Sequence, residues 1–141
     1  MSRFIGLDHG SRRVGVAVGD SGTGLAFARP ALRAPDPAAV AAIAQAEGAD
    51  VVILGLPRNM DGSEGAQAAT VRRFGDRLVA MGLSVIYHDE RLSSWEAGRQ
   101  LDAAGRQADR RSGEIDSAAA RVILQDYLDA HASSRVQQET Q

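Results

Sequence analysis

The hydrophobic period of this chain changes along its first half, which limits the folds open to it. Between Phe4 and Asp20 the apolar residues form two short runs, Phe4–Leu7 and Val14–Val18, joined by the turn sequence DHGSRR. The second run alternates Val14, Val16 and Val18 with Gly15, Ala17 and Gly19. A repeat of two belongs to a strand with unlike faces, so the stretch reads as a β-hairpin. A second turn, DSGTG, leads to the weaker segment LAFARPAL, which Pro30 limits to an edge strand. From Asp36 the repeat lengthens to that of a helix. Asp36 is placed as N-cap, Pro37 opens the first turn, Val40, Ile43 and Ala44 share a face, and Gly48 stops it.

The same alternation of elements continues downstream. VVILGLP is an unbroken apolar run, the pattern of a strand buried on both faces. SEGAQAATVRRFGDRLVAMG predicts a helix capped by Ser63, burying Val71, Phe74, Leu78 and Met81 and closing at Gly82. LSVIYHDE predicts another strand and Ser94 to Ala104 another helix. Residues 105–113, GRQADRRSG, have no period and read as a loop. A last helix is expected from about Glu114, with Ala119, Ala120, Ile123, Tyr127 and Leu128 on adjoining faces.

A three-strand meander followed by α-β-α-β-α-α predicts a mixed five-stranded sheet with helices on both faces, the order of an RNase H-like domain. The 141 residues suffice for one such domain, assigned to residues 1–132, with a polar tail over 133–141 expected to fray. No Cys occurs, which excludes disulfides, thiolate zinc sites and cysteine nucleophiles. Neither a signal-peptide pattern nor an apolar stretch near the roughly 20 residues of a membrane span is present. A soluble, cytoplasmic protein with no membrane partner is therefore expected.

In open α/β sheets, functional groups gather at the carboxyl ends of the parallel strands. Asp8 ends the first strand, HDER (His88 to Arg91) ends the fifth, and Asp116 opens the last helix. Taken singly, Asp8 reads as a turn residue, Asp116 as an acid favoured by a helix dipole, and Glu90 as half of a surface ion pair. Their joint placement is informative. Three carboxylates in one cleft repel unless cations sit among them, and carboxylate oxygens prefer hard cations. Asp8, Glu90 and Asp116 are thus candidate catalytic residues and ligands for Mg²⁺ or Mn²⁺, with two ions suited to phosphodiester hydrolysis.

The formal net charge of −2 gives no global basic signal, so the placement of cations matters. All of them apart from the histidines are Arg. Arg12, Arg13, Arg58, Arg91, Arg106, Arg110 and Arg111 are all expected at the rim that carries the acids, suited to flanking phosphates. Arg72, Arg73 and Arg77 fall on a helix and read as its solvated face. His9 and His88 flank the acids and could orient water or phosphate, whereas His131 falls near the end of the last helix. Trp95 is the best-placed aromatic, and so few aromatics favour recognition of backbone or shape over base stacking.

Four stretches, GLDHGSRRVGVAVGD, GLPRNMDGSEGAQA, DERLSSWEA and IDSAAARVILQDYL, resemble in order and spacing the motifs of the YqgF/RuvX family of bacterial RNase H-like nucleases, from Arg3 to about Leu128. The resemblance implies a cytoplasmic nuclease that processes the 5′ end of pre-16S ribosomal RNA or resolves Holliday junctions. Carried over by position, the family's acidic triad falls on Asp8, Glu90 and Asp116, while Arg13, Arg91 and Ser93 match polar positions implied in substrate binding. Two departures stand out. Gly19 occupies a position that is usually Ser, which removes the basis for a hydroxyl contact there, and the loop before the last helix is rich in Arg where relatives often carry Lys.

Structured RNA and branched DNA both remain open as partners. RNA specificity needs contacts to the 2′-hydroxyl, and junction resolution needs two symmetric active sites, hence a homodimer. Other classes fit less well. Actin-like ATPases and sugar kinases share a first phosphate loop like GLDHGS but need a second domain and a second glycine-rich loop, and a non-catalytic nucleic-acid-binding module has no need of three acids.

Overall fold

The run Val51–Leu56 forms strand β4, buried at every residue from Val52 to Leu56. It lies parallel to β1 (Arg3–His9) on one side and to β5 (Ser84–Asp89) on the other. Strand β2 (Val14–Asp20) pairs antiparallel with β1, and β3 (Ala26–Leu32) antiparallel with β2. The order is β3-β2-β1-β4-β5, with the Pro30 strand at an edge, where its missing N–H disturbs no inner ladder. This computed structural model describes residues 2–90 and 117–139, with side chains through residue 131. The expected helix at 94–104, the loop at 105–113 and the start of the last helix at 114–116 lie outside the described residues.

Helices α1 (Pro37–Glu47) and α2 (Ala66–Ala80) cover one face of the sheet, and α3 (Ala118–Glu139) covers the other. Helix α1 has the predicted ends: Asp36 accepts a hydrogen bond from the Ala38 N–H at 3.0 Å, and Gly48 takes φ +69° at the C-terminus. Helix α2 departs from expectation at both ends. Its N-cap is Gly65, because the Ser63 side chain is used in the preceding loop, donating to Asp61 at 2.6 Å and accepting from Asn59 at 3.0 Å. Met81 is the C-cap, off the helical face, and is 46% exposed.

The two faces are packed differently. On the α1/α2 side, Ile5, Leu7, Val16, Val52, Leu54, Val40, Val71, Phe74 and Leu78 form an aliphatic core. On the α3 side the sheet offers small residues. A Cβ placed at Gly6 would lie 2.7 Å from Leu124 Cβ and 3.0 Å from the Ala120 carbonyl, so α3 seats directly on the β1 backbone. Ser117, fully buried, fixes the start of α3: its hydroxyl accepts from Val16 N–H at 3.0 Å and donates to the Arg29 carbonyl at 2.5 Å. Both bonds fall where the β2–β3 register shifts between Val14 and Val16, so the hydroxyl serves backbone groups at an irregular point of the ladder.

Candidate active site at the carboxyl ends of the parallel strands

Period two fixes the direction of each side chain at the strand ends. On β1, Ile5 and Leu7 face α1 and α2, so Gly6 and Asp8 face α3. Glu90, one residue beyond β5, turns back over the sheet toward β4 at Gly55. A Cβ placed at Gly55 would lie 2.7 Å from Glu90 Oε1 and 2.7 Å from Ile123 Cδ1. The bare glycine thus makes the space in which the Glu90 carboxyl sits. An isolated glycine inside an apolar strand is the sequence signal for such close approach.

Glu90 and Asp8 share a hydrogen bond there. Burial, the neighbouring Asp8 charge, the hydrogen bond to Asp8 and the charge of Asp89 push the Glu90 carboxyl up to about 7. The cause is general: a second carboxylate close by and partial removal from water both disfavour the charged form of a carboxyl and raise its pKa. Such oxygen donors, crowded and short of positive charge, fit a hard divalent cation. Asp116 lies outside the described residues, and among the described residues no group of three potential ligands occurs. The residue after it in sequence, Ser117, binds the Val16 N–H, one position along β2 from Gly15, the register partner of Asp8.

The predicted basic residues divide into three groups. Arg12 and Arg13 line, with Asp8, Gly10, Ser11 and Gly15, a concavity of about 460 Å³ over the β1–β2 turn. That turn is tight, with the Gly10 N–H donating to the Arg13 carbonyl at 2.9 Å and a Cβ at Gly10 reaching to 2.7 Å of the same oxygen. Arg58 lies on the opposite flank, its guanidinium 3.8 Å from Glu64 and 4.0 Å from Asp89. Arg91, Ser93, Arg106, Arg110 and Arg111 lie outside the described residues.

The histidines occupy different sides. His9 faces α2 and packs on Phe74, ring centroids 4.9 Å apart, and burial lowers its pKa. His88 has its Nε2 buried with no hydrogen-bond partner; burial lowers its pKa against the opposing effects of Asp126 and Asp89. His131 is exposed and stacks on Tyr127 at 3.9 Å. Asp20, after the departing Gly19, accepts the Thr23 N–H at 2.6 Å and so closes the DSGTG turn.

The family model for RuvX, described as Holliday junction resolvase, matches residues 2–130. The chain belongs to the RuvX family. Relatives include a Synechococcus protein named "Putative pre-16S rRNA nuclease", 43% identical over 136 residues, covering 93% of this chain and 91% of that one. A protein of the same name from Myxococcus xanthus is 43% identical over 134 residues, covering 92% and 89%. Among solved structures, the fold is similar to that of Thermus thermophilus RuvC in complex with a Holliday junction substrate, with TM-score 0.54, 12% identity and coverage of 94% and 97%. It is also similar to the fowlpox virus resolvase in complex with Holliday junction DNA, with TM-score 0.55, 14% identity and coverage of 91% and 97%. This RuvX-family chain therefore has the RNase H-like fold expected from its element order, in a family of nucleases. Among the described residues no helix is long and apolar enough to cross a membrane.

Proposed function

We propose that this chain is a divalent-metal-dependent endonuclease of the cytoplasm that hydrolyses phosphodiester bonds in structured RNA, with the 5′ end of pre-16S ribosomal RNA as its substrate. The observation that carries the reading is the Asp8–Glu90 pair, two carboxyls sharing a hydrogen bond at the ends of parallel strands, beside a concavity lined by arginine. In this reading Asp8, Glu90 and Asp116 hold Mg²⁺ or Mn²⁺, two ions in all. Such ions supply, when bound, the positive charge that activates water and offsets charge on the leaving oxygen.

The remaining roles belong to the chain itself. Arg12 and Arg13 hold phosphates beside the scissile bond, and Arg58, Arg91, Ser93, Arg106, Arg110 and Arg111 bind the flanking strand. Guanidinium forks suit this because each can offer two parallel donors to one phosphate. Glu90 carries the proton of the carboxyl pair when no cation is present, and Gly55 leaves it the room to do so. Names given to 43% identical relatives support the RNA substrate. The description of the family model supports a second reading, resolution of Holliday junctions, which requires a homodimer.

The test is cleavage of a structured ribosomal-precursor RNA and a four-way DNA junction by wild type and Asp8→Asn, with Mg²⁺, Mn²⁺ or EDTA. Metal-dependent cleavage that falls on the order of 10²–10³-fold in the variant is expected, the size of effect seen for loss of one charge-stabilising group. Preference for the junction, together with a dimeric mass, would favour the second reading. Equal activity in the two proteins would overturn the assignment of Asp8, and tight binding without cleavage would leave a binding module.

A further inference from the structure

Helix α2 carries Arg72, Arg73 and Arg77, and its sequence alone presents all three as solvated surface. Their surroundings separate them. Arg72 is already paired: its guanidinium donates to both oxygens of Glu64, at 2.6 and 2.9 Å, and lies 4.8 Å from the centre of the Tyr87 ring. Asp76 acts on this same side, on Arg72 and Tyr87. Arg73 and Arg77, one helical turn apart, line instead a concavity of about 440 Å³ together with His9, Ser11, Thr70 and Phe74. No carboxylate lines it, and among the described residues no ion pair involves either arginine.

The concavity is built rather than incidental. The His9 and Phe74 rings, in contact at 4.9 Å, form an apolar floor. Arg73 donates to the Thr70 hydroxyl at 3.1 Å, and that hydroxyl donates to the Ala66 carbonyl at 3.1 Å, which orients the guanidinium from one side. Ser11 lines both this concavity and the one containing Asp8, Arg12 and Arg13. A strand crossing the β1–β2 turn would therefore pass from the acidic centre to an arginine pair on the other face of the sheet.

We infer that Arg73 and Arg77, with Ser11 and Thr70, form a phosphate-binding subsite for the nucleic-acid strand as it leaves the carboxylate site and crosses the β1–β2 turn at the strand ends. The inference rests on the nuclease reading and names a part of its substrate path. The two residues are four apart on the helix, a rise of about 6 Å along its axis, and in this reading they address successive phosphates of one strand. Each phosphate neutralised contributes about 0.7–0.9 to the slope of log affinity against log salt concentration.

The experiment measures binding of a fluorescein-labelled RNA stem-loop with a single-stranded flank, and of a labelled four-way DNA junction, in EDTA over a salt series. The proteins are wild type, Arg73→Gln/Arg77→Gln and Arg72→Gln, with thermal melting to confirm that each is folded. The double variant is expected to bind at least about tenfold more weakly, with a salt slope shallower by about 1.4–1.8, the sum of two contacts. Arg72→Gln removes charge from the same helix, and its slope should stay at the wild-type value. Equal slopes in wild type and double variant, or equal losses in double variant and Arg72→Gln, would overturn the subsite and leave the nuclease reading intact. Absence of binding and of metal-dependent cleavage in wild type would overturn both. A parallel titration with inorganic phosphate at constant ionic strength separates a strand subsite from a small-anion site. Tight binding of the free ion, lost in the double variant while strand affinity is unchanged, would overturn the strand assignment.

Discussion

The two faces of the sheet solve different problems. Toward α1 and α2 the strands present Ile5, Leu7, Val52, Leu54 and Leu56, and the helices answer with Val40, Val71, Phe74 and Leu78, all buried. Toward α3 the sheet presents Gly6, Ala17, Ile53 and Gly55, and α3 answers with Ala120, Ile123, Leu124 and Leu128. The first face stabilises by apolar area. The second brings a helix close to the backbone and leaves a gap at Gly55, and in that gap lies the Glu90 carboxyl, hydrogen-bonded to Asp8. Stability and chemistry are thus assigned to opposite sides of one sheet, and mutations should separate them.

The largest effect on folding should come from the aliphatic face. Leu78→Ala, at a fully buried site on α2, is expected to destabilise by about 2–5 kcal/mol in urea unfolding. Activity per folded molecule should be retained. Gly55→Ala reverses that pattern: its methyl group meets Glu90 Oε1 and Ile123 at 2.7 Å, so a destabilisation of about 1–3 kcal/mol should accompany a loss of cleavage out of proportion to it. Full activity in folded Gly55→Ala would break the comparison, because the gap would then have no functional meaning.

A smaller effect concerns the carboxyl pair itself. The Glu90 pKa rises from 4.5 in a free side chain to about 7 in the fold. The folded protein therefore binds the proton more tightly than the unfolded chain. This favourable contribution is complete below pH 4.5 and is lost as pH rises to about 7. After allowance for solvent screening it should amount to about 1–2 kcal/mol. Metal-free Glu90→Gln should accordingly exceed wild type in melting temperature at pH 8, with the difference shrinking at pH 5 and on addition of Mg²⁺ to wild type. The smallest effect is expected at Asp36→Ala, a loss of about 1 kcal/mol from the α1 cap with activity unchanged.

Local signals in the chain were reliable where the physics is local. The hairpin followed from alternation, α1 from Asp36, Pro37 and Gly48, and the buried central strand from VVILGLP. Those features depend on backbone preferences and side-chain period within a few residues. Ser63 shows the limit: its hydroxyl could serve a helix end or a neighbouring carboxylate, and Asp61, two residues away, captured it. Met81 failed for a similar reason, since the helix stops at Ala80 and the expected face ends with it. Ser117 gave no warning of its role, because its partners on Val16 and Arg29 lie 101 and 88 residues away.

Among the described residues, the order of elements, their main faces and the strand ends at which Asp8 and Glu90 stand were legible in the chain, because period and capping are properties of neighbouring residues. The fold alone brings Glu90 over Gly55 into a hydrogen bond with Asp8, pairs Arg72 with Glu64, and sets Arg73 and Arg77 along a concavity that shares Ser11 with the one beside Asp8. The physical reason is that charge and desolvation act through space. A carboxyl or guanidinium takes its character from groups that the fold brings within a few ångströms, however far apart they lie along the chain.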